Sequence, residues 1–277
     1  MKKAVTIFLL LLCTSMGFAQ KKERVKGSKA VTTKLDNLSA YKSLEVSDNL
    51  EIYLEKGENP TLKIEADDNL HDIISTTVKD SILYLSTTKD AYRFKKLTIY
   101  LTYTNILEQV IARNESMINA LQELQLDTLK VKAFNEAKLF LNVNTKNFIL
   151  EANDESKTEL NLKSEKGKVI LSQTSTLKSL VKTNNFTCDL YQKSVAEIEG
   201  NTTNAKIRLD NNGNFTGKKF SCKNINLIAE SYSNCSVNAE TTISISANGK
   251  SEIQLLGSPK IEIINFTDEV KLFKKTK

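Results

Sequence analysis

The chain has no tryptophan, one histidine, two prolines and nine glycines in 277 residues, and aromatic residues make up only 7% of it. Each shortage excludes something. With His71 as the lone histidine, no Cys/His cluster has the spacing of a zinc site, and a single imidazole in a polar bend reads as a surface residue. The scattered glycines form neither a phosphate-cradling loop nor a Gly-x-Ser-x-Gly elbow. No segment rich in Gly, Pro or Ser marks a linker. Aromatic residues are not interleaved with a basic face, which leaves nucleic-acid binding without support. Beyond the N-terminus no stretch is apolar enough for a transmembrane helix.

The N-terminus itself reads as an export signal. Lys2 and Lys3 precede the short apolar run Ala4–Leu12, and Gly17-Phe18-Ala19 places small residues at the positions a signal peptidase reads. Residues 1–19 are the expected signal peptide, with cleavage between Ala19 and Gln20. Leu12 before Cys13 argues against a lipobox. The expected location is therefore beyond the cytoplasmic membrane: periplasm, outer surface or exterior. Without Lys2 and Lys3 the mature chain carries 37 of the 39 basic residues against 33 acidic ones. Lys21, Lys22, Arg24 and Lys26 make its start mildly basic, and Lys271, Lys274, Lys275 and Lys277 its end. Solvated termini are the plain reading, a weak grip on acidic polysaccharide or anionic lipid the sharper one. Three cysteines remain, Cys188, Cys222 and Cys235, so at least one thiol is free or intermolecular. Two of them fall at positions read below as inward, which favours three buried thiols over a disulfide.

What the chain does have is a period. An apolar–x–apolar triplet recurs at Leu129/Val131, Phe148/Leu150, Val169/Leu171, Cys188/Leu190, Ile207/Leu209, Ile225/Leu227, Ile243/Ile245 and Ile261/Ile263, in steps of 19, 21, 19, 19, 18, 18 and 18 residues. In–out–in is a short strand with one buried face. A fixed interval near 20 residues marks stacked units that cannot bury their apolar faces alone. The fold class expected is all-β: a right-handed parallel β-helix of about 18–21 residues per coil, with a less regular strand-rich cap before it. The core ladder is Leu129, Val131, Leu150, Leu171, Leu190, Leu209, Leu227, Ile245 and Ile263. Such a narrow core suits a chain with so little aromatic volume.

A weaker second ladder follows each triplet: Leu139/Leu141, Thr158/Leu160, Ser179/Val181, Ile198/Gly200, Gly217/Lys219, Cys235/Val237, Ile253/Leu255 and Lys271/Phe273. It fails at Gly217/Lys219, where Phe215 could turn inward instead. Corners at Asn153-Asp154, Asn211-Asn212-Gly213 and Asn248-Gly249 use residues that tolerate left-handed backbone. Residues 111–126 fit either a further coil, with Ile118 and Ala120 inward, or an amphipathic helix through Ile111, Ile118, Leu121 and Leu124. Residues 20–105 are expected to form the cap and opening coils, residues 106–274 the regular coils, and 20–277 one continuous body. A separate small β-sandwich is the alternative for the first part, with Thr87–Lys96 as the boundary.

Val25-Lys26-Gly27-Ser28, Ser43-Leu44-Glu45-Val46, Asn49-Leu50-Glu51-Ile52, Val78-Lys79-Asp80 and Leu83-Tyr84-Leu85 come in an order that continues to Ala247-Asn248-Gly249-Lys250-Ser251-Glu252-Ile253 and Gly257-Ser258-Pro259-Lys260-Ile261. This order resembles the auto-transporter adhesin head GIN domain family, over roughly residues 24–274. The resemblance implies an envelope or secreted protein of the Bacteroidetes type, and it carries no catalytic residues or cofactors.

Acidic pairs occur at Asp67-Asp68 and Asp154-Glu155, with Asp210 alone, and the position one coil after Asp154 is Gln173. A polysaccharide lyase or hydrolase needs several aligned charged groups, commonly with calcium. No catalytic, cofactor or metal residue is therefore assigned. Asp80-Ser81-Ile82 and Asp127-Thr128-Leu129 resemble bacterial O-glycosylation sites. Three functions stay open: a non-catalytic scaffold binding a polysaccharide or a surface protein, a carbohydrate-active β-helix enzyme, and a structural subunit pairing through a sheet face.

Overall fold

The structure, a computed structural model, describes residues 22–120 and 122–275. The expected signal peptide and its Ala19–Gln20 junction lie outside the described residues. The rest is almost entirely strand, wound into a parallel β-solenoid of about nine turns with a more irregular N-terminal strand region.

A regular coil is one long bent strand. In Lys138–Ala152, Leu139, Leu141 and Val143 point inward on the first arm, and Phe148, Leu150 and Ala152 on the second. Between the arms Thr145 turns in and both Lys146 and Asn147 turn out, so the alternation slips by one residue and the chain bends. Lys157–Leu171, Thr176–Tyr191 and Val195–Asp210 repeat this pattern, each pairing in parallel with the next. The other corner is a tight turn that begins with a left-handed residue: Asn114, Asn135, Asp154, Gln173, Gln192, Ser231, Gly249 and Asp268 all have φ between 57° and 72°. Two residues later comes a fully buried small side chain, namely Ser116, Ala137, Ser156, Ser175, Ser194, Ser233 and Ser251 for the first seven of those coils. Only a small residue fits where the two sheets converge.

The register departs from the triplet reading at two steps, and the cause is volume. Each second arm has three inward positions. The middle column runs Val110, Val131, Leu150, Val169, Cys188, Ile207, Leu227, Ile245 and Ile263. Leu171, Leu190 and Leu209 lie one inward position later, in register with Ala152 before them and Ala229 after. The outer two positions trade size in six coils, Leu129 with Ala133, Phe148 with Ala152, Gly167 with Leu171, Ala205 with Leu209, Ile225 with Ala229 and Ile243 with Ala247, whereas between Phe186 and Leu190, both large, the small residue is the middle Cys188. A stack of constant cross-section needs constant filling, so the two bulky residues of a triplet shift by two places without the chain shifting. Leu209 is thus in line with Ala229, not with Leu227. Leu129, Val131, Leu150, Leu171, Leu190, Leu209, Leu227 and Ile245 are all fully buried. Ile263 is in register with Ile245 but 47% exposed, because no further coil among the described residues covers it.

On the first arm the inward column runs Ile118, Leu139, Thr158, Leu177, Ala196, Phe215, Cys235, Ile253 and Leu272. Phe215, in register with Ala196, fills the space over Gly217, and Phe220, opposite Gly200, takes the place read for Lys219, beyond a bulge that re-aims the chain. In the last coil it is Leu272, not Lys271 or Phe273, that sits over Ile253. Gln109–Ala112, Met117–Ala120 and the start of Leu124–Ala133 are strands, with a turn at Asn114, so the helical alternative does not hold.

The N-terminal part is stacked out of chain order. Ser43–Val46 and Glu51–Lys56 form the coil directly under Gln109–Ala112 and Met117–Ala120. Ile82–Thr87 and Leu97–Tyr103 form the coil beneath that one, so the chain goes to the bottom of the stack and then returns past a coil already laid. Thr61–Asp67 and Ile74–Lys79 add antiparallel strands to the two sheets, and Val31–Asn37 extends one of them. These reversed strands stop the stack at this end. Asp67, fully buried, pins the cap: it accepts hydrogen bonds from the backbone N–H groups of Lys29 (2.8 Å), Lys95 (3.0 Å) and Lys96 (3.0 Å). Within Thr87–Lys96, Asp90–Tyr92 pairs with Arg24–Lys26. One apolar core runs from Tyr41 to Leu255 through both portions.

Candidate functional site

A groove of about 1170 Å³ runs along the bend between the arms. Two stacked rows of outward side chains wall it. One row is Gln125, Asn144, Lys163, Lys182, Asn201 and Ser221, each in register with the next. The other is Asp127, Lys146, Glu165, Asn184, Thr203 and Lys223, at the apex of successive bends. Thr145, Ser164, Thr183 and Thr202 lie between the rows. The trough follows the bend: on each coil the two wall residues flank one turned-in hydroxyl residue, Thr145, Ser164, Thr183 or Thr202, which forms its floor. Six coils contribute, so it is about 24 Å long at one strand spacing per coil.

Every wall side chain can hydrogen-bond, and only Leu126 among the lining residues is apolar. Lys146 pairs with Asp127 at 2.9 Å, which raises the lysine above its ordinary range. Lys163 pairs with Glu123 at 2.8 Å, and Asn144 donates to the same carboxylate at 3.0 Å. Lys163 first, then Asn144, hold the Glu123 carboxyl below the usual range. Lys182 and Lys223 make no ion pair among the described residues. Thr183 and Thr202 share a 3.0 Å hydrogen bond, while the Thr145 and Ser164 hydroxyls have no partner among the described residues. An amide ladder continues beside the groove, Asn204 donating to Asn185 at 3.1 Å and Asn224 to Asn204 at 3.0 Å.

The groups singled out as chemical candidates are spread apart. Asp67 is the buried clamp of the cap, and Asp68 accepts from Ser28 Oγ. Asp154 accepts from the Asn135 N–H at 3.0 Å, and Asp210 from Ser231 Oγ at 2.9 Å. His71 is half-buried in the 3-10 turn Asp68–Ile73, with Nε2 2.9 Å from Thr32 Oγ1. The three thiols are free and buried. Burial pushes Cys188 well above the ordinary thiol range, and Cys222 and Cys235 up to about 12. No group of three or more His, Cys, Asp or Glu side chains converges as a metal site among the described residues. Of the terminal lysines, Lys22 pairs with Asp48 at 2.6 Å and Lys271 with Glu252 at 2.9 Å. No helix among the described residues is long and apolar enough to cross a membrane.

The groove was not among the sequence candidates. Its signal is a hydroxyl residue followed by two polar ones, as in Thr145-Lys146-Asn147, Ser164-Glu165-Lys166, Thr183-Asn184-Asn185 and Thr202-Thr203-Asn204. In one dimension that resembles ordinary loop composition. Only the 19-residue spacing of its occurrences distinguishes it.

The sequence matches a family model described as "Putative auto-transporter adhesin, head GIN domain" over residues 40–179 and again over 157–259. Three solved structures are similar. A putative lipid binding protein from Parabacteroides distasonis ATCC 8503 has a TM-score of 0.62 at 16% identity, covering 91% of this chain and 100% of that one. A putative adhesin from the same strain gives 0.61 at 17%, and one from Parabacteroides merdae ATCC 43184 gives 0.59 at 16%, with the same coverage. At such identities the likeness is one of fold. No curated protein matches the sequence.

Proposed function

This chain belongs to the auto-transporter adhesin head GIN domain family, and from that premise we propose that it is an exported, non-catalytic binding scaffold whose rigid coil stack presents a polar groove to a partner outside the cytoplasm. The observation that carries the proposal is the division of labour among polar groups. The acids singled out in the sequence, Asp67, Asp154 and Asp210, are engaged in the cap and the turns, whereas the long trough is walled mainly by amides, hydroxyls and amines, with the Asp127 carboxylate already paired to Lys146. Such a trough can hold a polymer at many weak points, and its Asp127 carboxylate is occupied by Lys146 at 2.9 Å, which does not suit it to serve as a proton donor. Export rests on residues 1–19. Intact mass of the native protein should correspond to a chain starting at Gln20.

The scaffold reading is tested by incubating the mature protein with a panel of polysaccharides and with intact cell-envelope material. Retention without release of shortened products is the expected outcome. Time-dependent product formation would replace the scaffold with an enzyme.

A further inference from the structure

Resting on that reading, we propose that the groove is a subsite for a linear, carboxylate-bearing polysaccharide laid along the solenoid axis, with Lys182 and Lys223 as the residues that select its charge. Four features point to this ligand class. The first is direction: the rows run across coils and not along a strand, so a ligand meets equivalent wall positions once per strand spacing, about 4.8 Å. That is close to the length of one pyranose unit in an extended glycan, so successive sugars meet successive coils.

The second is polarity. A peptide partner would be expected to bury an apolar centre, and the lining holds none beyond Leu126. Amides and hydroxyls that both donate and accept, such as Gln125, Asn144, Asn184, Asn201 and Thr203, suit a chain of sugar hydroxyls. The third is charge. Five lysines line the groove, Lys56, Lys146, Lys163, Lys182 and Lys223, against Asp127, Glu165 and Glu240. Lys163 and Lys182 are direct register neighbours. Like charges placed so are unfavourable, and Glu123 answers only Lys163. A carboxylate beside Lys182 would remove that repulsion. The fourth is the lack of any aromatic platform in the lining, which disfavours stacking of nucleic-acid bases.

The test uses the mature chain in affinity electrophoresis and calorimetry with polygalacturonate, alginate and hyaluronan. Carboxyl-reduced polygalacturonate, a neutral β-glucan and poly-dT serve as comparators. At least one uronate polymer should bind, with affinity falling at least tenfold between 50 and 300 mM salt (about 1.4 kcal/mol). The double variant Lys182→Glu/Lys223→Glu should abolish that binding while melting at the wild-type temperature. Lys206→Glu/Lys168→Glu, on the second-arm face away from the groove, should leave it intact. Equal binding of the carboxyl-reduced polymer would overturn the charge assignment, and tighter binding of poly-dT the ligand class. If envelope material is retained but neither the groove variant nor polyuronate affects it, the groove inference falls and the scaffold reading stands. If nothing is retained, both fall.

Discussion

Asp67 and Gly200 show how much single positions carry. Burial alone would raise the Asp67 carboxyl, but the N–H groups of Lys29, Lys96 and Lys95 together hold it below the usual range. A depressed folded value means its contribution is complete above the unfolded value of about 3.9 and is lost as pH falls through the folded one. Asp67→Ala should therefore cost about 2 kcal/mol at pH 7, since it removes the acceptor of three backbone N–H groups. The gap to wild type should close below pH 4 in a denaturant series. Gly200 sits at φ 107°, and a Cβ there would overlap the Val181 carbonyl oxygen. Gly200→Ala should lower stability by about 2 kcal/mol or more, read as a drop in the urea midpoint. Ile245 and Ser244 make the opposite comparison, fully buried against half-buried on successive residues. Ile245→Asp leaves a buried charge unpaired and should unfold or truncate the stack. Ser244→Asp should cost about 0.5 kcal/mol through its register neighbour Glu262. Equal melting temperatures for the two would refute the inward assignment.

At the scale of one coil, the bent strand and its two unlike corners explain both the core and the trough. The tight corner is closed by a left-handed residue and a buried small one, the wide corner by an inward hydroxyl and two outward polar residues. Cys188, Cys222 and Cys235 all point into coils of this kind, and burial keeps their thiols protonated. The native protein at pH 8 should therefore leave a thiol reagent such as Ellman's unreacted for hours, and residues 20–277 should titrate three thiols in denaturant. Rapid native reaction of even one would show that the coils open locally. Asp154 stands for the corners: its carboxylate accepts the Asn135 N–H of the coil before. Asp154→Ala should cost about 1 kcal/mol, less than any core change.

The whole molecule is a quasi-one-dimensional stack with unlike ends. The first end is closed by reversed strands, whereas the last coil leaves Ile261, Ile263 and Phe266 40–47% exposed and the bulged Ile264 63% exposed. Since each coil is held by its neighbours, the terminal coil has half the support of the others. Amide hydrogen exchange should be fastest in Lys260–Phe266 and Lys271–Lys274 and slowest in the strands from Lys138 to Ala229. Uniform protection would mean that the stack opens only as one unit, or that another chain covers the last coil.

The parallel stack, its interval and the apolar triplets of the second arms were legible in the sequence, because in–out alternation at a fixed period has few other physical solutions. Three things were decided only by tertiary structure. The exact register needed the compensating volumes of residue pairs such as Phe148/Ala152 and Gly167/Leu171, which become visible only once a common cross-section exists. The order of the first coils needed the return of the chain past Ser43–Lys56, since apolar strands of similar length fit more than one level of a stack. The groove needed stacking itself: Gln125, Asn144, Lys163 and Lys182 are separated by 19 residues of chain and become a wall only when each coil sets them side by side.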